Sequence, residues 1–323
     1  MLLRAVSCLA LALALNAQTP AVPANQTDLT ANNAPLSTAE RDDLRKAVAA
    51  HNYVAEKAVL DKAAAENPQS AEVQILAARL AFIARQPNDA VKAFLAAEKI
   101  KPLSPDDRAS LALAYEGMGM KKEALATISK LVTEFPKNSE YAYLKGRLEI
   151  HYQNDEAAIA NFQRAISIDP NNVRAYVDLG QAQEALGQPE EARKNYERAV
   201  ARNRTSQSPS DTPPLRLGEL LMKADELDAA EKLFNEALRY RPRSGWAHYD
   251  LAQLDTKREK RSDAIAEYRA AVVNDPTLRQ AWLALGREYT RAGQKSEAEK
   301  CLAIFKKLEA EQKQGSASAG KSP

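Results

Sequence analysis

The feature that most constrains this chain is a pattern that returns every 34 residues. Its clearest copy is Val173 to Ser206, VRAYVDLGQAQEALGQPEEARKNYERAVARNRTS. Tyr176, Leu179, Gly180 and Gln183 recur at helical spacing, so they share one face of a first helix. Gly187 stands where that helix must stop, since glycine takes a left-handed C-cap without strain. Pro189 suits an early position of a second helix, where its missing N–H costs little. Ala192, Tyr196 and Ala199 share the apolar face of that second helix. Each copy is therefore a two-helix hairpin.

Three phases of the frame repeat along the chain. A small residue late in the first helix becomes Ala78, Ala112, Gly146, Gly180, Gly218, Ala252 and Gly286. An alanine opening the second helix becomes Ala90, Ala124, Ala158, Ala192, Ala230, Ala264 and Ala298. Four residues on stands a bulky residue: Phe94, Ile128, Phe162, Tyr196, Phe234, Tyr268 and Leu302. Short side chains are required wherever two helix axes come close. Pro102, Pro136, Pro170, Pro242 and Pro276 end the second helices, because proline cannot continue a helix interior.

This arrangement resembles the tetratricopeptide repeat, a 34-residue helix–turn–helix. The resemblance covers about residues 37–312. It is strongest in the last copy, with Trp282, Leu285, Gly286, Tyr289, Gly293 and Ala298 at the family's offsets. It implies an all-α fold, a right-handed superhelical solenoid of about eight repeats. Repeats 1–5 occupy 37–206 and repeats 6–8 occupy 211–312. The first copy is degenerate: Leu44 replaces the small residue and Glu56 replaces the alanine, as in a capping repeat. Between the two blocks the frame slips by four residues, an insertion at 207–210. The join from Arg204 to Pro214, RTSQSPSDTPP, is not regular helix. A tolerated insertion is the favoured account; a hinge and a boundary between sub-arrays are the others.

The ends read differently. Arg4 followed by the apolar run Ala5–Leu15 is too short to span a bilayer and has the order of a secretory signal. Residues 1–17 are the expected signal, with cleavage after Ala17 and a second possible site at Val22-Pro23-Ala24. Residues 18–36 are expected to be a disordered leader and 313–323 a disordered tail. Cys8 lies inside the apolar run, and Cys301 falls at a packed phase of the last hairpin. A periplasmic or secreted protein with no membrane span after signal removal is the expectation.

A net charge of +2 with interleaved signs gives no argument for nucleic acid. His51, His151 and His248 are far apart, without Cys, Asp or Glu at metal-ligand spacing, and a glycine-rich phosphate loop after a strand is missing. No enzyme, metal or cofactor is expected.

The resemblance implies that first helices line a concave groove where a peptide or protein partner binds. By phase, the candidate residues are Arg79 and Phe82; Tyr143, Arg147 and His151; Gln181 and Glu184; Trp246, Tyr249, Gln253 and Lys257; and Arg287 with Arg291. Tyr143–Arg147–His151 and Trp246–Tyr249–Gln253–Lys257 combine aromatic area with polar heads, the composition of binding hot spots. Packing between repeats is the alternative role for Tyr143, Trp246 and Tyr249. Chaperone-binding members of the family clamp a terminal carboxylate with Lys, Asn and Arg. The matching phase here holds Ile75, Ala109, Tyr143, Val177, Leu215, Tyr249 and Leu283, so that clamp is missing. The expected function is a protein-interaction scaffold in a bacterial envelope assembly. A self-associating spacer and a cell-wall glycan binder are the alternatives.

Overall fold

The computed structural model describes residues 34–319, and sixteen helices make up its regular structure. No strand occurs among these residues. The expected signal and most of the expected leader lie outside the described residues. The chain divides into two compact units, one ending at Pro170 and the other beginning at Asn171. Each holds four helical hairpins.

The first unit contains α1 (Thr38–Ala49), α2 (Tyr53–Glu66), α3 (Ala71–Ile83), α4 (Pro87–Ile100), α5 (Pro105–Gly117), α6 (Lys121–Glu134), α7 (Ser139–His151) and α8 (Asp155–Ile168). The second contains α9 (Val173–Ala185), α10 (Pro189–Arg204), α11 (Thr212–Lys223), α12 (Leu227–Tyr240), α13 (Gly245–Lys257), α14 (Arg261–Asn274), α15 (Arg279–Arg291) and α16 (Lys295–Ala319). Odd-numbered helices are first helices and even-numbered ones are second helices.

Close approach inside each hairpin explains the small and bulky phases. A Cβ built on Gly146 would lie 2.6 Å from the ring of Phe162. The same atom on Gly180 would lie 2.5 Å from Tyr196, and on Gly218 2.4 Å from Phe234. Those rings are fully buried, so they have nowhere to retreat. The alanines opening the second helices, from Ala90 to Ala264, are buried as well.

The turn between the two helices is also periodic. One residue per hairpin has positive φ: His51, Arg85, Gly119, Gln153, Gly187, Asp225, Glu259 and Gly293. The expected glycine cap at Gly187 is one of these. Its N–H bonds the Glu184 carbonyl at 3.0 Å, and the next N–H, of Gln188, reaches back to Gln183 at 2.8 Å. Five of the eight positions carry a side chain and sit in the conformation that L-residues resist.

Six of the eight first helices begin on side-chain caps. Ser37, Ser70, Ser104, Asn138, Asn172 and Ser244 each accept a bond from a backbone N–H in the first turn. Second helices stop just before the prolines. Apart from the last helix, α16, α10 is the exception. Its frame places Arg204 where the other copies have proline, and the helix continues to that arginine.

The join that follows is anchored at both ends. Asn203 is buried; its Nδ2 donates to the Ser210 carbonyl and its Oδ1 accepts from the Ser210 N–H, both at 2.8 Å. Arg204 holds the buried Glu236 by two bonds of 2.8 and 2.6 Å. Asp211 makes no cap bond to its own helix and instead accepts from Ser244 Oγ at 2.8 Å. Pro213 and Pro214 start α11, where a first turn needs no N–H partner. The insertion therefore lies inside the second unit, and the division of the chain falls one hairpin earlier, at Pro170.

Two end segments differ from expectation. Ala34 is buried and, with Leu36, packs on Leu44, Leu60 and Leu76, so the last residues of the expected leader belong to the first hairpin's core. At the other end α16 runs to Ala319, into the segment 313–323 expected to be disordered. Proline does not interrupt it there, and Lys307–Glu311 and Glu309–Lys313 pair across single turns. Glu56, the residue replacing alanine in the first hairpin, is buried, and burial pushes its carboxyl above the ordinary range.

Two stability outcomes follow. Gly218→Val forces its side chain against Phe234 and is expected to cost about 1–3 kcal/mol by overpacking, read as a lower denaturant midpoint. Arg85→Gly relieves a left-handed residue and is expected to raise stability by about 1 kcal/mol. A midpoint unchanged or lowered in Arg85→Gly contradicts the strained turn.

Candidate binding face

In the first unit packing takes Tyr143 and an ion pair takes Arg79. Tyr143 is only 2% exposed, and its ring tilts against Phe162 at 5.9 Å. It is a core residue and not part of an open face, because its phase lies at the contact between first and second helices. Arg79 makes a fork with the buried Asp107, Nε to Oδ1 at 2.7 Å and Nη2 to Oδ2 at 3.0 Å. That joins α3 to α5, and Ser104 completes the Asp107 bonds at 2.6 Å. Phe82 and Arg147 are half-buried. His151 is exposed and faces Glu116 at 3.5 Å. Burial raises the Glu116 carboxyl, against the pull of His151 and Arg147.

The second unit keeps an open first-helix face. Trp246 is 39% exposed and stands edge-on to Tyr249, with ring centroids 5.9 Å apart at 88°. Tyr249 in turn tilts against the buried Tyr268 at 5.8 Å. Tyr268 thus supports Tyr249, and Tyr249 supports Trp246. Burial raises the Tyr249 phenol above its ordinary value, opposed by Gln253 beside it. Arg287 is exposed, while Gln181 and Gln253 are half-buried. Lys257 closes the end of α11, donating to the Met222 carbonyl at 3.2 Å and to Asp225 at 3.4 Å. Arg291 pairs with Glu288 on its own helix. Lys257 and Arg291 are therefore partly committed to the fold.

Glu184 is a candidate by phase, whereas Arg216, Glu219 and Asp250 on this face are not. Glu184 accepts from Tyr196 at 2.7 Å and from Lys223 at 3.0 Å. Arg216 Nη1 holds both carboxylate oxygens of Glu219, at 3.1 and 2.9 Å. Asp250 is 3% exposed, and its Oδ2 has no partner. The sequence does carry a signal. The frame position that holds Asp42, Leu76, Ser110 and Leu144 in the first unit holds Asp178, Arg216, Asp250 and Ala284 in the second.

Among the described residues no cluster of His, Cys, Asp or Glu is arranged to hold a metal ion. None of their helices is long and apolar enough to cross a membrane. The surface offers hydrogen bonds, ion pairs and aromatic area.

Comparison with known proteins agrees with the hairpin geometry. Family models described as tetratricopeptide repeat match residues 110–138, 173–206 and 215–279, and one described as TPR repeat matches 146–187. These matches show tetratricopeptide repeats within residues 110–279, in register with the hairpins. A TPR repeat-containing protein of Methanocaldococcus jannaschii is 29% identical over 154 residues, 47% of this chain. The chain spans about a quarter (26%) of that relative's length. Yeast Tom70 superposes with a TM-score of 0.66 at 17% identity, covering 91% of this chain and 66% of that one. A tetratricopeptide repeat protein from Parabacteroides merdae gives 0.59 at 14% identity, covering 77% and 97%. PilW, a type IV pilus biogenesis factor, gives 0.54 at 20% identity, covering 62% and 90%. At these identities the likeness is one of fold.

One titration is expected to be visible in stability. His248, on α13, meets Glu267 of α14 at 2.7 Å, and that bond raises the imidazole above its ordinary value despite some burial. A raised folded value means the contribution is fully present below the unfolded pKa of about 6.5 and is lost as pH rises through the folded one. Unfolding free energy measured from pH 5.5 to 8.5 should therefore decline more steeply in the wild type than in His248→Gln. Parallel curves would remove the pair as a contributor.

Proposed function

We propose that the chain is a non-enzymatic scaffold whose second unit binds an extended peptide or protein segment on its first-helix face. One observation carries this reading: Trp246 stays exposed while Tyr249 and the buried Tyr268 hold it in place. A rigid, half-exposed aromatic beside hydrogen-bonding and cationic heads buries large area at small entropic cost. Gln181, Gln253 and Arg287 hold one common phase of α9, α13 and α15, and the preformed helices let a partner bind with little backbone change. The setting we propose is a bacterial envelope assembly, after export directed by residues 1–17. The order of charge and apolar run at the N-terminus supports export, and PilW, of the same fold, is a pilus biogenesis factor.

Crosslinking in cells followed by capture tests both parts. The variant Trp246→Ala/Gln253→Ala/Arg287→Ala is expected to keep its helical circular dichroism and lose the captured partner. Trp246→Ala alone should weaken binding of that partner by about 2 kcal/mol. A partner retained by the triple variant moves the site off this face. A partner confined to the cytoplasm ends the envelope assignment.

A further inference from the structure

Asp250 stands at a frame position that the first unit fills with the buried, uncharged Leu76, Ser110 and Leu144. Only 3% of it reaches solvent, and its Oδ2 has no hydrogen-bond donor. A carboxylate stripped of water and left without a donor is costly to bury, and the neutral acid escapes most of that cost.

The surroundings do not compensate a charge there. α11 acts on Asp250 through Arg216, Glu219 and Lys223. Arg216 commits Nη1 to both Glu219 oxygens, at 3.1 and 2.9 Å, and Lys223 donates to Glu184 at 3.0 Å. An ionised Asp250 is therefore a second carboxylate beside one engaged guanidinium. On α14, Tyr268 feels Asp250, while Glu267 bonds His248. On α12, Asp228 and Glu231 bond Arg258, and Glu236 bonds Arg204. On α15, Arg287 acts on Tyr249, the neighbour of Asp250, and Glu288 pairs with Arg291. Desolvation and a like charge push a carboxyl the same way. Burial first, and Glu219 second, raise the Asp250 carboxyl well above the ordinary carboxylate range, opposed by Arg216 and Lys223.

We infer that Asp250 is a proton-dependent lock on the second unit. With its proton it seats between α11 and α13; without it, it competes with Glu219 for Arg216 and the two helices loosen. The lock acts on α13, the helix that carries Trp246 and Tyr249. It does not depend on what the first-helix face binds.

In the unfolded chain the same carboxyl titrates near a pH of about 3.9. Below that value both states hold the proton and the folded state pays nothing for it. Above it the folded protein keeps a proton that the unfolded chain has lost, so stability falls as pH rises, until the folded acid ionises as well.

Both tryptophans, Trp246 and Trp282, lie in the second unit, so urea unfolding followed by tryptophan fluorescence reads that unit. The wild type is compared with Asp250→Asn, a neutral side chain of the same shape, from about pH 4 to pH 9. Relative to Asp250→Asn, the wild-type folding constant should fall about tenfold per pH unit for as long as the folded acid keeps its proton. His248 is common to both proteins and cancels. Parallel curves overturn the inference. The Asp250 carboxyl carbon, followed by NMR in the wild type, should titrate well above the unfolded value of about 3.9. A midpoint at or below that value overturns the inference even where Asp250→Asn does not fold. Glu219→Gln frees Arg216 and should bring the midpoint down; an unchanged midpoint overturns the competition for Arg216. Hydrogen exchange reads the loosening. Above the midpoint, amides of α11 and α13 should lose about tenfold in protection in the wild type and not in Asp250→Asn. Equal protection in the two proteins leaves a buried acid without a lock and overturns the inference.

Discussion

Everything in each hairpin depends on one contact, the close approach of a first helix to its second across a residue with little or no side chain. At Gly146, Gly180 and Gly218 a single added carbon would sit 2.4 to 2.6 Å from an aromatic ring. The ring belongs to Phe162, Tyr196 or Phe234, and each is fully buried. At this separation the alanine opening the second helix is buried as well, and the apolar faces of both helices are spent on each other. One hairpin cannot also cover its outer faces, so the next must stack on it. Repetition in the sequence is the record of that requirement.

Interactions between successive hairpins are of another kind. In the first unit they include charged and polar bonds made by buried or half-buried acids. Arg79 forks onto Asp107, Tyr53 donates to Asp89 at 3.0 Å, and Tyr141 donates to Asp106 at 3.0 Å. Each bond spans about one repeat, from 28 to 36 residues. A phase argument gives the face of a helix and not its neighbour, so it cannot tell an arginine aimed at a ligand from one aimed at the next repeat. Arg79 and Tyr143 show the difference. Both lie at binding phases, and packing takes both.

The repeat register, helix count per hairpin and stop positions were legible because glycine, alanine and proline act through backbone geometry that any environment imposes. The turn was legible only in part. Gly187 announces a left-handed residue, whereas Arg85, Gln153 and Glu259 adopt the same conformation with no sign in their chemistry. There the fold overrides local preference, because the second helix must return at a fixed angle. The four-residue slip was visible, but its anchoring was not. It rests on Asn203 closing onto Ser210 and on Asp211 abandoning its own helix for Ser244. Such bonds join residues that a linear pattern treats as unrelated.

That slip also shows how a repeat tolerates an insertion without losing register. Arg204 stands where a proline would have stopped α10, so the helix simply continues. Its guanidinium then takes the buried Glu236, and that bond, with one from Tyr240, holds the Glu236 carboxyl below its ordinary value. The two extra helical residues therefore arrive with their own partner on α12, and the residues that follow form a short loop pinned at Ser210. Downstream, the contact between Gly218 and Phe234 is as close as that between Gly180 and Tyr196 upstream. The spacing between helices is set within each hairpin, so four residues placed between two hairpins leave it untouched. An insertion of the same length inside a hairpin would break the small-to-bulky contact itself.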